Sequence, residues 1–163
     1  MECLEVNEIC EWAEQHGLVT GDRFSVELPR LPSKYRAVYS QGFRSGSEGA
    51  SAQELVSQLG PWDECLVWIR EWGVWASGED WPTFYAWRGA RKERRSIEKA
   101  PGHRFEPEER TQLVELLTLV MENAWDAEVL CSVNGRADVV RAFVSHDEFF
   151  EILARERRRN LTC

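Results

Sequence analysis

Residues 64–75, ECLVWIREWGVW, carry β-branched and aromatic side chains at most positions and no backbone breaker before Gly73. A run of this kind suits a strand covered on both faces, so it predicts the centre of a sheet. Alternation would place Leu66, Trp68, Arg70, Trp72 and Val74 on one face, and Cys65, Val67, Ile69, Glu71, Gly73 and Trp75 on the other. Arg70 then stands between two indoles, able to stack on them while offering its donors to an anion or an acidic loop.

Downstream, Asp80 can cap a helix that opens at Trp81-Pro82 and runs to about Arg95. A polar loop, SIEKAPGHRFEP, leads to a second helix over about 107–124, where Leu113, Leu116, Leu117, Val120, Met121 and Ala124 share one face. The runs AEVLCSV and DVVRAFVS flank Asn134-Gly135, a strong hairpin signal. Ser145-x-x-Glu148 has the form of a capping box and predicts a last helix with Phe149, Ile152 and Leu153 on its apolar face, before the basic tail RERRRNLTC.

Upstream, Val6, Ile9, Cys10 and Ala13 predict a helix over about 5–16, ended by Gly17. Two short β-like runs follow, Phe24 to Leu28 and Tyr35 to Ser40. A Gly- and Ser-rich loop then leads to a helix opened by Ser51-x-x-Glu54, bearing Ala52, Leu55, Val56 and Leu59, and stopped at Gly60-Pro61. Hairpin order rather than strict strand-helix alternation points to one α+β domain over residues 1–163, a mostly antiparallel sheet with helices packed against it. The tail from about 155 is a candidate for disorder.

The 163 residues suffice to bury roughly 70% of the unfolded surface, so the fold needs no covalent staples. Five cysteines, far apart and without a C-x-x-C pair or a histidine at zinc-ligand spacing, indicate reduced thiols and neither a disulfide framework nor a metal site. No cofactor motif is present. The acidic start and the lack of an apolar run of about 18 residues predict a cytoplasmic protein with no membrane span.

Net charge is −8, which weighs against general nucleic-acid binding. All of it lies in residues 1–87, with fourteen acids and six bases, whereas residues 88–163 hold fourteen of each. Glu2, Glu5, Glu8, Glu11 and Glu14 recur every third residue along the first helix candidate, as a solvated face or as a docking surface for a basic partner. Basic residues gather at 88–104 and at 155–159, and these clusters could hold RNA, DNA or an acidic surface.

Six of the eight tryptophans fall between Trp62 and Trp87, as core filler or as an interface. In the helix after Asp80, Trp81, Phe84 and Tyr85 make an apolar stripe that carries Arg88 and leaves Trp87 off it, a violation of the local pattern of the kind enriched at functional sites. Candidate binding residues are therefore Trp68, Arg70, Trp72, Trp87 and Arg88. No histidine sits in a reaction-defining motif, and His103 and His146 are the acid/base candidates, with Asp80 or Arg88 as possible neighbours. The glycine-rich loop 42–49 lacks the Gly-Lys-Ser/Thr ending of a phosphate loop and reads as a connector.

The profile, small, acidic, Trp-rich and without a catalytic signature, resembles that of some bacterial immunity and antitoxin proteins that neutralise basic toxins. By that class analogy the expectation is a non-enzymatic module for a protein partner. The alternatives are a small enzyme built on His103 and His146 and a nucleic-acid binder using the basic clusters.

Overall fold

The computed structural model describes residues 1–18, 35–72, 80–133 and 138–155. In chain order the described elements are β1 (Glu2–Leu4), α1 (Val6–Gln15), β2 (Tyr35–Gly42), α2 (Glu48–Gln58), β3 (Glu64–Glu71), α3 (Trp81–Ala90), β4 (Gly102–Phe105), a 3-10 turn (Pro107–Glu109), α4 (Arg110–Glu122), β5 (Asp126–Val133), β6 (Asp138–Ser145) and β7 (Phe149–Arg155). The strands form one sheet in the order β1-β4-β3-β5-β6-β7-β2, with every pairing antiparallel. This is the α+β architecture expected from the sequence.

One face of the sheet presents Val67, Ile69, Phe105, Val129, Val144 and Phe150 to Leu55 of α2, Phe84 of α3, and Leu113, Leu116 and Val120 of α4. On the other, Ile9, Trp12 and Ala13 of α1 pack over Leu66, Trp68, Leu130 and Val139. Helices thus cover both faces, which is why β3 and β5 are apolar almost throughout rather than alternating. β3 is interior, between β4 and β5, while β5 holds the centre of the order.

The Asn134-Gly135 hairpin joins β5 to β6 as expected, its turn lying outside the described residues, as do the run Phe24 to Leu28, residues 73–79 and the tail beyond Arg155. Asp80 caps α3, accepting the Thr83 N–H at 3.2 Å, and Gly17 turns left-handed at φ 72° behind α1. Four expectations need correction. The helix placed after Ser51 begins at Glu48, because Ser47 and Glu48 already bond the loop N–H groups of Arg44 and Gly46, and Ser51 is buried within it. α3 ends at Ala90 rather than near Arg95, since Lys92 adopts a left-handed φ of 65° that turns the chain out of the helix. The polar loop that follows contains β4, which inserts His103 and Phe105 beside Val67 and Cys65.

The last correction is the largest. The helix expected from Ser145 is strand β7, and Ser145 to Phe149 is a tight turn. Ser145 Oγ does accept the Asp147 N–H at 3.2 Å, as a cap would, but Glu148 at φ 60° sends the chain back along β6. Burial of Phe150 and Ile152 in the core decides between two periodicities that the short segment fits equally.

Gly102 sets how closely α1 approaches the sheet. A Cβ there would stand 2.7 and 2.8 Å from Ile9 Cγ1 and Cδ1 and 3.1 Å from Leu4 Cβ. Gly102→Ala is expected to destabilise the protein by about 1–3 kcal/mol through overpacking. Urea unfolding measures it, and an unchanged midpoint would mean that α1 yields freely.

Candidate functional site

Strand alternation after Trp68 is broken by a bulge. Ile69 pairs with Ala127 and Glu71 with Asp126, leaving Arg70 as the extra residue. Trp72 is consequently turned onto the α2–α4 face, where it packs against the main core, whereas Trp68 is buried on the α1 face. Arg70 therefore does not lie between two indoles. Its guanidinium stands 5.3 Å from the Trp68 ring and reaches Glu128, 3.9 Å from Nη1.

The other tryptophan and arginine candidates are likewise tied into the protein. Trp87 is half-buried, donates its indole N–H to Glu115 at 2.9 Å and carries Arg91 at 4.1 Å over its ring. Arg88 is fully buried on the α3 stripe that the helical spacing assigned to it, donating to the Ala100 carbonyl at 3.2 Å with its guanidinium 5.4 Å from the Phe84 ring. Trp68 and Arg88 are thus interior residues, and the five do not compose one exposed patch. His103 is also fully buried, edge-on to Phe84, and burial followed by the nearby Arg88 charge pushes its imidazole down to about 3. Neither ring nitrogen makes a well-formed hydrogen bond; the Pro101 and Val67 carbonyls only oppose the shift. His103 and His146 belong to different strands' surroundings, the first inside the α2–α4 core and the second in the solvent-reaching turn after β6. Asp80 is occupied as a cap.

What the bulge does assemble is a charged cluster at one end of the apolar central strands. Asp126 Oδ1 accepts the backbone N–H of His146 at 2.7 Å and lies 2.9 Å from its Nδ1. Asp147 Oδ1 is 3.6 Å from Nε2 on the other side of the ring. The Asp126 hydrogen bond raises His146 above its ordinary value; burial, the next effect in size, opposes it, and the charges of Asp126, Asp147 and Glu71 add to the rise. One donor atom from each of Glu71, Asp126 and His146 falls within 4.8 Å of the other two.

Beside this trio lies a buried ion triad. Glu128, fully buried in β5, receives Arg141 Nε at 2.6 Å and Nη2 at 2.8 Å, a bidentate fork across the β5–β6 pair, and Arg70 approaches from β3. Burial raises the Glu128 carboxyl and lowers Arg70, each opposed by the neighbouring opposite charge. Of these groups only Arg70 and His146 were singled out from sequence. Glu128 and Arg141 carried a legible signal, as opposite charges at inward positions of two strands joined by an Asn-Gly turn. Glu71 and Asp126 carried none, because the bulge that joins them leaves no mark in the spacing.

Four of the seven bases between Arg88 and Arg104 are engaged internally: Arg88 with Ala100, Arg91 with Glu115, Arg95 with Glu93, and Arg104 with Glu2. Glu5, which precedes α1, and Glu8, Glu11 and Glu14 on it are exposed, while Ile9, Trp12 and Ala13 are buried. Glu5 pairs with Arg95 at 3.5 Å and accordingly belongs partly to the fold. Among the described residues no helix is long and apolar enough to cross a membrane. Comparison with protein-family models, curated proteins and solved structures returns no match to this chain.

Proposed function

We propose that the chain is a non-enzymatic binding module, of the immunity or antitoxin kind, that holds a basic protein partner against the outer face of α1. The observation that carries this reading is the exposure of Glu8, Glu11 and Glu14 on successive turns of one helix. Glu8 accepts the Glu5 N–H at 2.7 Å in a capping box, so the fold accounts for that residue, whereas Glu11 lies past the first turn, where like charges three residues to either side oppose helix formation by a few tenths of a kcal/mol per pair. A basic surface would relieve the repulsion and be steered toward it by the N-terminal charge excess.

The test is a crosslinking pull-down from lysate of the native organism with wild type and with Glu8→Lys/Glu11→Lys/Glu14→Lys, confirmed folded by circular dichroism. The expected result is a basic partner captured by wild type, released by salt and lost in the triple variant. Equal capture by both proteins, or none by either, removes the reading.

A second reading, a small enzyme with His146 as acid or base, draws support from the Asp126–His146 pair alone. His103, buried and neutral, adds nothing to it. The nucleic-acid reading is weakened by the internal engagement of four of the seven bases at 88–104.

A further inference from the structure

The geometry points to a divalent-cation site formed by Glu71, Asp126 and His146, for a first-row transition ion that accepts both imidazole nitrogen and carboxylate oxygen. The site is independent of the α1 surface. Its three donors come from the end of β3, the start of β5 and the turn after β6, which the β3–β5 and β5–β6 pairings bring together at one end of the central strands. Strand ends held by a sheet ladder keep ligands in place better than a loop does.

The distances suit one ion. With bonds of about 2.2 Å, neighbouring donors on an octahedral ion are roughly 3 Å apart and opposed donors roughly 4.4 Å. Asp126 Oδ1 and His146 Nδ1 are 2.9 Å apart, the first of these separations, and Glu71 completes a trio within 4.8 Å, slightly beyond the second. The 2.9 Å contact is thus a hydrogen bond when the ring carries a proton there and a ligand pair when an ion replaces that proton.

Charge favours the replacement. Arg141 is held by Glu128 and Arg70 shares its charge among Glu128, Asp126 and Glu71, so the three carboxylates Glu71, Asp126 and Asp147 outweigh the single Arg70 charge around the imidazole. Glu71 is exposed and His146 only partly covered, which leaves coordination positions open to water or to an anionic oxygen of a ligand. Spacing rules missed the site because its ligands lie far apart in sequence and meet only through the bulge.

The test uses Mn²⁺ on the full, chelator-treated chain, because thiolates favour Zn²⁺ and have little affinity for Mn²⁺, which keeps the five cysteines of the chain out of the readout. Free Mn²⁺ is followed by electron paramagnetic resonance, and the site by paramagnetic broadening of the histidine ring signals. One equivalent is expected to bind and to broaden His146 before His16 or His103. Glu71→Gln, at an exposed position that leaves the fold intact, is expected to weaken binding about ten-fold or more. Glu108→Gln, exposed in the 3-10 turn that lies toward the opposite end of β3 from Glu71, is the charge control and should leave binding unchanged. Absence of Mn²⁺ uptake, broadening away from His146, or equal affinity in Glu71→Gln each overturns the site.

Discussion

Glu128→Ala is expected to lower the free energy of unfolding by about 3–5 kcal/mol, among the largest effects of any single substitution in this chain. The carboxylate is fully buried and accepts two short bonds from Arg141, with Arg70 close behind. Its removal takes from Arg141 the carboxylate that accepts both its bonds, and from Arg70 the strongest of the charges that face it, Asp126 and Glu71 remaining. The loss is therefore mostly the cost of a desolvated cation at Arg141, more than the worth of the pair itself. That distinction is measurable. Glu128→Leu/Arg141→Leu removes the Arg141 cation along with its partner and should recover most of the stability that Glu128→Ala loses, since apolar replacement of buried ion pairs is often near neutral. Urea unfolding of the two variants compares them. A double variant no more stable than the single one would show instead that the fork itself fixes the β5–β6 register.

The triad also marks where sequence reading succeeds and where it stops. α4, the Asn-Gly hairpin and β3 were legible because each is long or carries a strong local signal, although the faces assigned to β3 hold only as far as the bulge at Arg70. β7 was not, because Phe149, Ile152 and Leu153 fit a helical face while Phe150 and Ile152 fit a strand, and only pairing with β6 and β2 decides. β1 and β4 are three and four residues long, too short for any period to register. Local reading is weakest where a long-range contact settles the outcome.

The same reasoning separates the two halves of the candidate site. His146 stood out because a histidine beside two acids is visible in the chain itself. Its true partner, Asp126, stands twenty residues earlier and reaches it only because β5 and β6 are paired. Arg88 was recognised as out of pattern, and it is: a buried guanidinium with the Ala100 carbonyl as the acceptor of its one formed hydrogen bond. Pattern violation thus located buried charge correctly, but burial and exposure cannot be told apart by helical spacing when a helix is covered on two sides.

That buried charge has a consequence at His103. The ring lies inside the core, with Arg88 and Glu93 as its charged neighbours from α3 and the segment after it, Cys3 paired across from β1, and the Pro101 and Val67 carbonyls at hand. Burial, then Arg88, hold it neutral until about pH 3, whereas in the unfolded chain it accepts a proton near its ordinary value of 6.5. Between those values the unfolded state binds the extra proton, so stability falls as pH falls, by about 1.4 kcal/mol per unit below 6.5, and the loss saturates near pH 3. His103→Leu cannot titrate. Between pH 7 and pH 5 it should lose about 2 kcal/mol less than wild type in urea unfolding, the difference isolating this ring from the carboxylates that titrate in both proteins. Equal losses would mean that the folded protein admits a proton to His103, and with it a route from solvent to the core beneath α3.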